Sequence, residues 1–202
     1  MRPGATGRFI TLEGGEGAGK STQLARLKSW LEGRGRTVTV TREPGGSPGA
    51  EMIRKLLVEG SAERWDGITE ALLHSAARRE HLRSTVWPVL ERGDWVVSDR
   101  FADSTLAYQG YGHGIERRIL EQLYGIAVGA FRPDLTLILD LAPEAGLARA
   151  AGRAAGTGQG ADRFEAEALD RTFVYSINLH QRRQLAIFEL ERRGVLPTWF
   201  SA

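Results

Sequence analysis

Eight residues, GGEGAGKS at positions 14 to 21, restrict what this chain can fold into more than any other feature. They follow the apolar run FITLE (9–13) and precede TQLARLKSWLE, in which Leu24, Leu27 and Leu31 share one helical face. The spacing matches G-x-x-x-x-G-K-[ST] through Gly14, Gly19, Lys20 and Ser21, placed between a strand and a helix as a phosphate-binding loop requires. Glycines there let backbone N–H groups turn inward around phosphate oxygens, and the helix N-terminus adds partial positive charge. Gly14, Gly15, Glu16, Gly17, Ala18, Gly19, Lys20, Ser21 and Thr22 are therefore the candidate donor-nucleotide site. Lys20 is expected to reach the β and γ phosphates, and Ser21 to hold Mg²⁺.

The rest of the chain repeats the strand–helix alternation. FITLE (9–13), TVTVT (37–41), WVVSD (95–99) and LTLILDL (135–141) read as short strands. Between them, Met52, Ile53, Leu56 and Leu57 mark a second helix, and a third runs from about Ile68 to Leu90, bent or ended by Pro88. A fourth covers about Ile115 to Val128. The expectation is an α/β fold with a parallel sheet of four to five strands flanked by helices. At 202 residues it should form a single domain over 1–202. AAGRAAGTGQGA (150–161) is too glycine-rich for a continuous helix and reads as a mobile lid segment, about 147–165.

A phosphate loop alone leaves switches, motor ATPases and small-molecule kinases open. The only Asn, Asn178, is not followed by Lys, so the guanine-reading N-K-x-D of GTPase switches is missing, and the chain is short for a transporter-type ATPase. At the end of the third strand stands DRF (99–101), where Asp99 can hold Mg²⁺ or its waters and Arg100 can clamp a second phosphate bidentately. Zero cysteines exclude disulfides and thiolate chemistry. The net charge of +2 comes from 27 basic against 25 acidic residues spread along the chain, which speaks against nucleic acid as a partner. The longest apolar runs fall short of a membrane span, and MRPGATGR lacks the apolar core of a secretory signal, so the expected compartment is the cytoplasm.

Seven stretches taken together, the EGxEGxGKS loop, TREPGG (41–46), AARREH (76–81), DRF, STLAYQG (104–110), RPDLTLILDL (132–141) and DRFE (162–165), resemble the bacterial thymidylate kinase family. The resemblance covers about residues 8 to 175 in the family's order. It implies a P-loop kinase fold, transfer of the γ-phosphoryl of ATP to thymidine 5′-monophosphate (dTMP), with Mg²⁺, and a homodimer. It also implies that Glu43 and Pro44 border the acceptor sugar and that Arg54 and Arg100 approach its phosphate. Arg78 and Gln109 would bond the thymine, Ser104 and Thr105 would line the base pocket, and Tyr108 would exclude a ribose 2′-hydroxyl. In this family a phosphate loop with Glu, here Glu16, goes with a catalytic arginine from the lid; Arg153 is the first candidate and Arg149 the second. The acceptor oxygen is already ionised at neutral pH, so positioning and charge neutralisation suffice without a general base.

Two departures stand out. His74 occupies the position where the family usually places a Phe that stacks on thymine, and an imidazole offers less apolar area and titrates near pH 6.5. The C-terminal region 176–202 is atypical, with VLPTWF as the candidate fifth strand. The alternatives are another pyrimidine nucleoside or nucleotide kinase, or a catalytically impaired nucleotide-binding protein.

Overall fold

In the computed structural model, residues 7–61, 64–142, 144–146, 148–149 and 152 are described. Strands β1 (Phe9–Gly14), β2 (Val38–Arg42), β3 (Trp95–Asp99) and β4 (Leu135–Leu139) run parallel in the order β2-β3-β1-β4. The register sets Asp99 level with Arg42 on β2 and with Leu12 on β1, while Gly14 lies beside Leu139. All four carboxyl ends therefore open on one edge. The chain moves to opposite sides of β1 in its successive crossovers, and such a reversal leaves a crevice at those ends.

Period-two alternation divides the core. Ile10, Leu12, Val97 and Leu137 pack against Leu24, Leu27 and Leu31 of helix α1 (Lys20–Glu32) on one face. Phe9 and Val96 face the other way, onto Leu82, Val86, Val89, Phe101, Ala127 and Val128. Every residue of β1 is buried. A strand covered on both faces has no solvent side on which to place a charge, which matters for Glu13 below.

Helix α2 (Pro48–Val58) begins at Ser47, whose side chain accepts the N–H of Ala50, and α3 (Gly67–His81) begins at Asp66, which accepts that of Thr69. The third helix expected from the sequence does not stop at Pro88. It passes through a π-helical turn at Leu82–Val86 into α4 (Trp87–Glu91), with Pro88 in the first turn of α4. After β3 come α5 (Ala102–Thr105), a second π-helical segment at Leu106–Gly112, and α6 (Arg117–Val128). The expected fifth strand and most of the expected lid lie outside the described residues.

Candidate active site

The loop from β1 to α1 has the conformation its glycines allow. Gly19, the residue before α1, sits at φ 90° in the left-handed region, and no side chain caps the helix start. Gly17, at φ 72°, packs so closely on the backbone of Gly146 that an added Cβ would run into the Gly146 carbonyl. Lys20 folds back over the loop, its Nζ donating to the carbonyls of Gly14 at 3.0 Å and Gly15 at 2.9 Å. Burial, with the nearby Arg100 charge, lowers its pKa to about 8; Glu16, Asp99 and Glu13 pull in the opposite direction.

Opposite this loop, the turn after β3 presents Arg100. Among the described residues it is the non-glycine one with positive φ, at 70°. Three bonds hold it there: its own N–H donates to Leu12 O at 2.9 Å, Ser98 Oγ donates to its carbonyl at 2.9 Å, and the next N–H, of Phe101, donates to Glu13 Oε1 at 2.7 Å. The other Glu13 oxygen accepts from Ser104 Oγ at 2.6 Å. Burial first, and then the neighbouring Asp103 charge, push the Glu13 pKa up to about 7. The Arg100 guanidinium bonds Ser104 Oγ at 3.2 Å, forms an ion pair with Glu16, and lies 5.4 Å from the centre of the Tyr108 ring. Burial opposes its charge, yet Tyr108, Glu16, Glu13 and Asp99 together hold it protonated.

The third wall comes from α3 and the loop after β2. Arg78, almost fully buried, donates from Nε to Glu43 Oε2 at 2.8 Å and from Nη2 to Thr105 Oγ1 at 2.9 Å and Phe101 O at 3.2 Å. The second Glu43 oxygen pairs with His81 Nδ1 at 2.9 Å, and His81 Nε2 pairs with Thr41 Oγ1 at 2.7 Å. Both carboxylate oxygens of Glu43 are thus held by side chains of α3. Arg54 donates to the carbonyl of Pro44 at 2.9 Å, across a loop whose Glu43–Pro44 peptide is cis.

Between these walls lies a cavity of about 400 Å³. From the donor loop it is lined by Glu16, Gly17, Gly19, Lys20, Ser21 and Thr22, and from the opposite turn by Asp99, Arg100, Ser104 and Thr105. Glu43, Pro44, Arg54, His74, Arg78, Tyr108 and Gln109 complete it. Gly14, Gly15 and Ala18 build the loop without lining the cavity. Arg149 is exposed and is not part of the lining, and Arg153 lies outside the described residues. Sequence reasoning passed over Glu13, Arg42, Glu70, His81 and Phe101. For Glu13 a signal existed: two residues on from Thr11 and four from Phe9, it shares their buried face. Glu70 sits four residues before His74 and eight before Arg78, on the same side of α3.

Asp99 Oδ1 is buried without a hydrogen-bond partner among the described residues, and it faces the same cavity as Ser21. No cluster of three or more His, Cys, Asp or Glu suited to a metal occurs among those residues. One carboxylate and one hydroxyl fit Mg²⁺, which takes few protein ligands and completes its shell with phosphate oxygens and water.

A phosphate loop, a strand-end carboxylate and a buried arginine facing it across one cavity define a P-loop phosphotransferase acting on two small substrates. The chain belongs to the thymidylate kinase family, whose model, described as "Thymidylate kinase", matches residues 12–183. A thymidylate kinase from Alkalilimnicola ehrlichii is 55% identical over 161 residues, covering 80% of this chain and 72% of the relative. One from Caulobacter vibrioides is 50% identical over 187 residues, covering 93% and 84%. The crystal structure of thymidylate kinase from Ehrlichia chaffeensis superposes with a TM-score of 0.61 at 36% identity, covering 75% of this chain and 89% of that one. Members of the family are enzymes that phosphorylate dTMP with ATP.

Proposed function

We propose that this chain transfers the γ-phosphoryl of ATP to dTMP within the cavity just described, giving thymidine diphosphate and ADP. The observation that carries this reading is the single cavity of about 400 Å³ lined at one end by the donor loop and at the other by Arg78, Tyr108 and Gln109. The loop N–H groups and Lys20 cradle the donor phosphates, and Arg100 draws the acceptor phosphate into line with them, helped by Arg54. Arg78 and Gln109 take the base edge, Thr105 and His74 border it, and Tyr108 closes the sugar side. Ser21 and Asp99 would hold Mg²⁺, which supplies charge neutralisation at the transferring phosphoryl when bound. Arg153, with Arg149 as the second candidate, is the proposed lid arginine for the transferring phosphoryl.

The chain acts as one functional unit over 1–202, in the cytoplasm, on nucleotides rather than on nucleic acid or a membrane. No described helix is long and apolar enough to cross a membrane. A second copy of the chain is the proposed partner. Met52 on α2, Leu72 on α3 and Ile126 on α6 are 71%, 50% and 81% exposed, on helices that pack together.

The test is a panel of nucleoside monophosphates with ATP and Mg²⁺, read by ADP release, with Lys20→Ala as control. Preference for dTMP, lost in Lys20→Ala, is the expected result. Preference for a purine or a ribonucleotide sinks the reading, and ATP binding without turnover favours the impaired nucleotide-binding alternative.

A further inference from the structure

Gln109 is 1% exposed, faces the cavity from the π-helical segment after α5, and uses only half of its amide on the protein. Its Nε2 donates to Glu70 Oε1 at 2.6 Å. Its Oε1 is buried with no hydrogen-bond partner among the described residues. Glu70 itself is fully buried on α3 and does not line the cavity. His113 Nε2 approaches the same Glu70 oxygen at 3.6 Å.

An amide can be turned over, exchanging donor for acceptor, and a carboxylate decides which way it lies. A carboxylate accepts only. Turning Gln109 over would set two oxygens against each other at the 2.6 Å separation now bridged by the Nε2 proton. Glu70 therefore commits the buried free end of Gln109 to being an acceptor.

We infer that Glu70 is a positioning residue for acceptor specificity: by fixing the Gln109 amide, it makes the base site select a pyrimidine with a donor at N3, thymine or uracil, over cytosine. The inference rests on the proposed dTMP kinase reading of this cavity. Thymine carries an N3–H between two carbonyls. Cytosine carries a lone pair at N3, so cytosine would place acceptor against acceptor in a buried site and leave both unsatisfied. Arg78 acts at the neighbouring position, since its Nη1 is not engaged by any described residue and offers donors suited to a carbonyl. Tyr108 governs the sugar and not this choice, which leaves the Glu70–Gln109 pair as the reader of N3.

The test compares kcat and KM for dTMP and deoxycytidine monophosphate in the wild type, Glu70→Gln, Gln109→Met and the double variant. Glutamine at 70 can donate as well as accept and so frees the Gln109 amide to turn. Glu70→Gln is expected to reduce the dTMP-over-dCMP preference in kcat/KM by roughly tenfold, through KM for dTMP, with kcat at saturation within about twofold. Gln109→Met is expected to reduce the same ratio, and adding Glu70→Gln to it to change the ratio no further.

An unchanged ratio in Glu70→Gln overturns the inference. So does an equal loss on both acceptors, which marks a merely structural role, or an undiminished effect of Glu70→Gln in the Gln109→Met background. Should Glu70→Gln not fold, a wild-type ratio in Gln109→Met alone is sufficient to overturn it. A wild type inactive on dTMP defeats the functional reading itself, whereas an active wild type with unmoved variants defeats only this step.

Discussion

Glu13, near the end of β1, accepts at 2.7 Å the backbone N–H of Phe101, 88 positions further along the chain, and so holds the turn that carries Arg100. The second Glu13 oxygen takes Ser104 Oγ, and Ser104 in turn contacts the Arg100 guanidinium. One buried carboxylate thereby fixes both the left-handed backbone of Arg100 and a neighbour of its side chain. The arrangement connects β1 to the cavity-lining Arg100 through a residue that does not itself line the cavity.

The raised pKa of Glu13 gives stability a pH dependence with a definite sign. The folded state keeps its proton up to about 7, whereas the unfolded chain releases it near 4.5. Between those values the folded state binds more protons, so stability falls as pH rises through the window. Wild-type urea melts at pH 5 and pH 7.5 should differ, relative to Glu13→Gln, by about 2 kcal/mol, the wild type being weaker at the higher pH. Parallel behaviour of the two proteins would show that Glu13 is ionised throughout.

Lys20 behaves in the opposite sense. Its pKa of about 8 in the nucleotide-free site means that a sizeable fraction is neutral at pH 8, while donor phosphates would restore the charge. ATP binding at pH 8 should take up a fraction of a proton, and its affinity should fall as pH rises further. Titration calorimetry in buffers of different ionisation enthalpy measures that fraction directly; Lys20→Met should abolish it.

His74 lines the cavity from α3. A phenyl ring there would add stacking worth about 0.5–1.5 kcal/mol beyond its area. His74→Phe should lower KM for dTMP by roughly two- to tenfold and leave KM for ATP unchanged. An unchanged or raised KM for dTMP would remove stacking as the reason.

Met52 and Leu72 expose apolar side chains on α2 and α3, which pack against each other. A Met52→Glu, Leu72→Glu double variant should shift the sedimentation coefficient from that of a dimer to that of a monomer, with the melting temperature shifting by only a few degrees. A wild type that sediments as a monomer at every concentration would dispose of the dimer.

Much of this architecture was legible before any coordinates. TVTVT, WVVSD and LTLILDL fall on β2, β3 and β4 within a residue or two, because buried parallel strands announce themselves as apolar runs. GGEGAGKS was legible for a different reason: its glycine positions follow from backbone geometry, which the sequence alone fixes. The helical run expected to about Leu90 does continue past Pro88 to Glu91, but the π-helical turn within it left no mark in the pattern of apolar residues. Glu70 and His81 were opaque because a charged residue within an amphipathic pattern reads as solvent-facing. Their burial depends on Gln109, and on Glu43 and Thr41, partners 38 to 40 positions away. The lid arginine Arg153 and the ending 176–202 lie outside the described residues.

The ion pair between Glu16 and Arg100 makes the binding step an exchange rather than an addition. An arginine awaiting an anion would be an uncompensated charge in a half-enclosed site, and this protein supplies the compensation from its own donor loop. In the reaction proposed above, an arriving acceptor phosphate takes the place of a carboxylate already seated, so the net gain at Arg100 is the difference between two anions. The same carboxylate stands ready to reclaim the guanidinium when the product loosens, which favours rapid departure over tight retention.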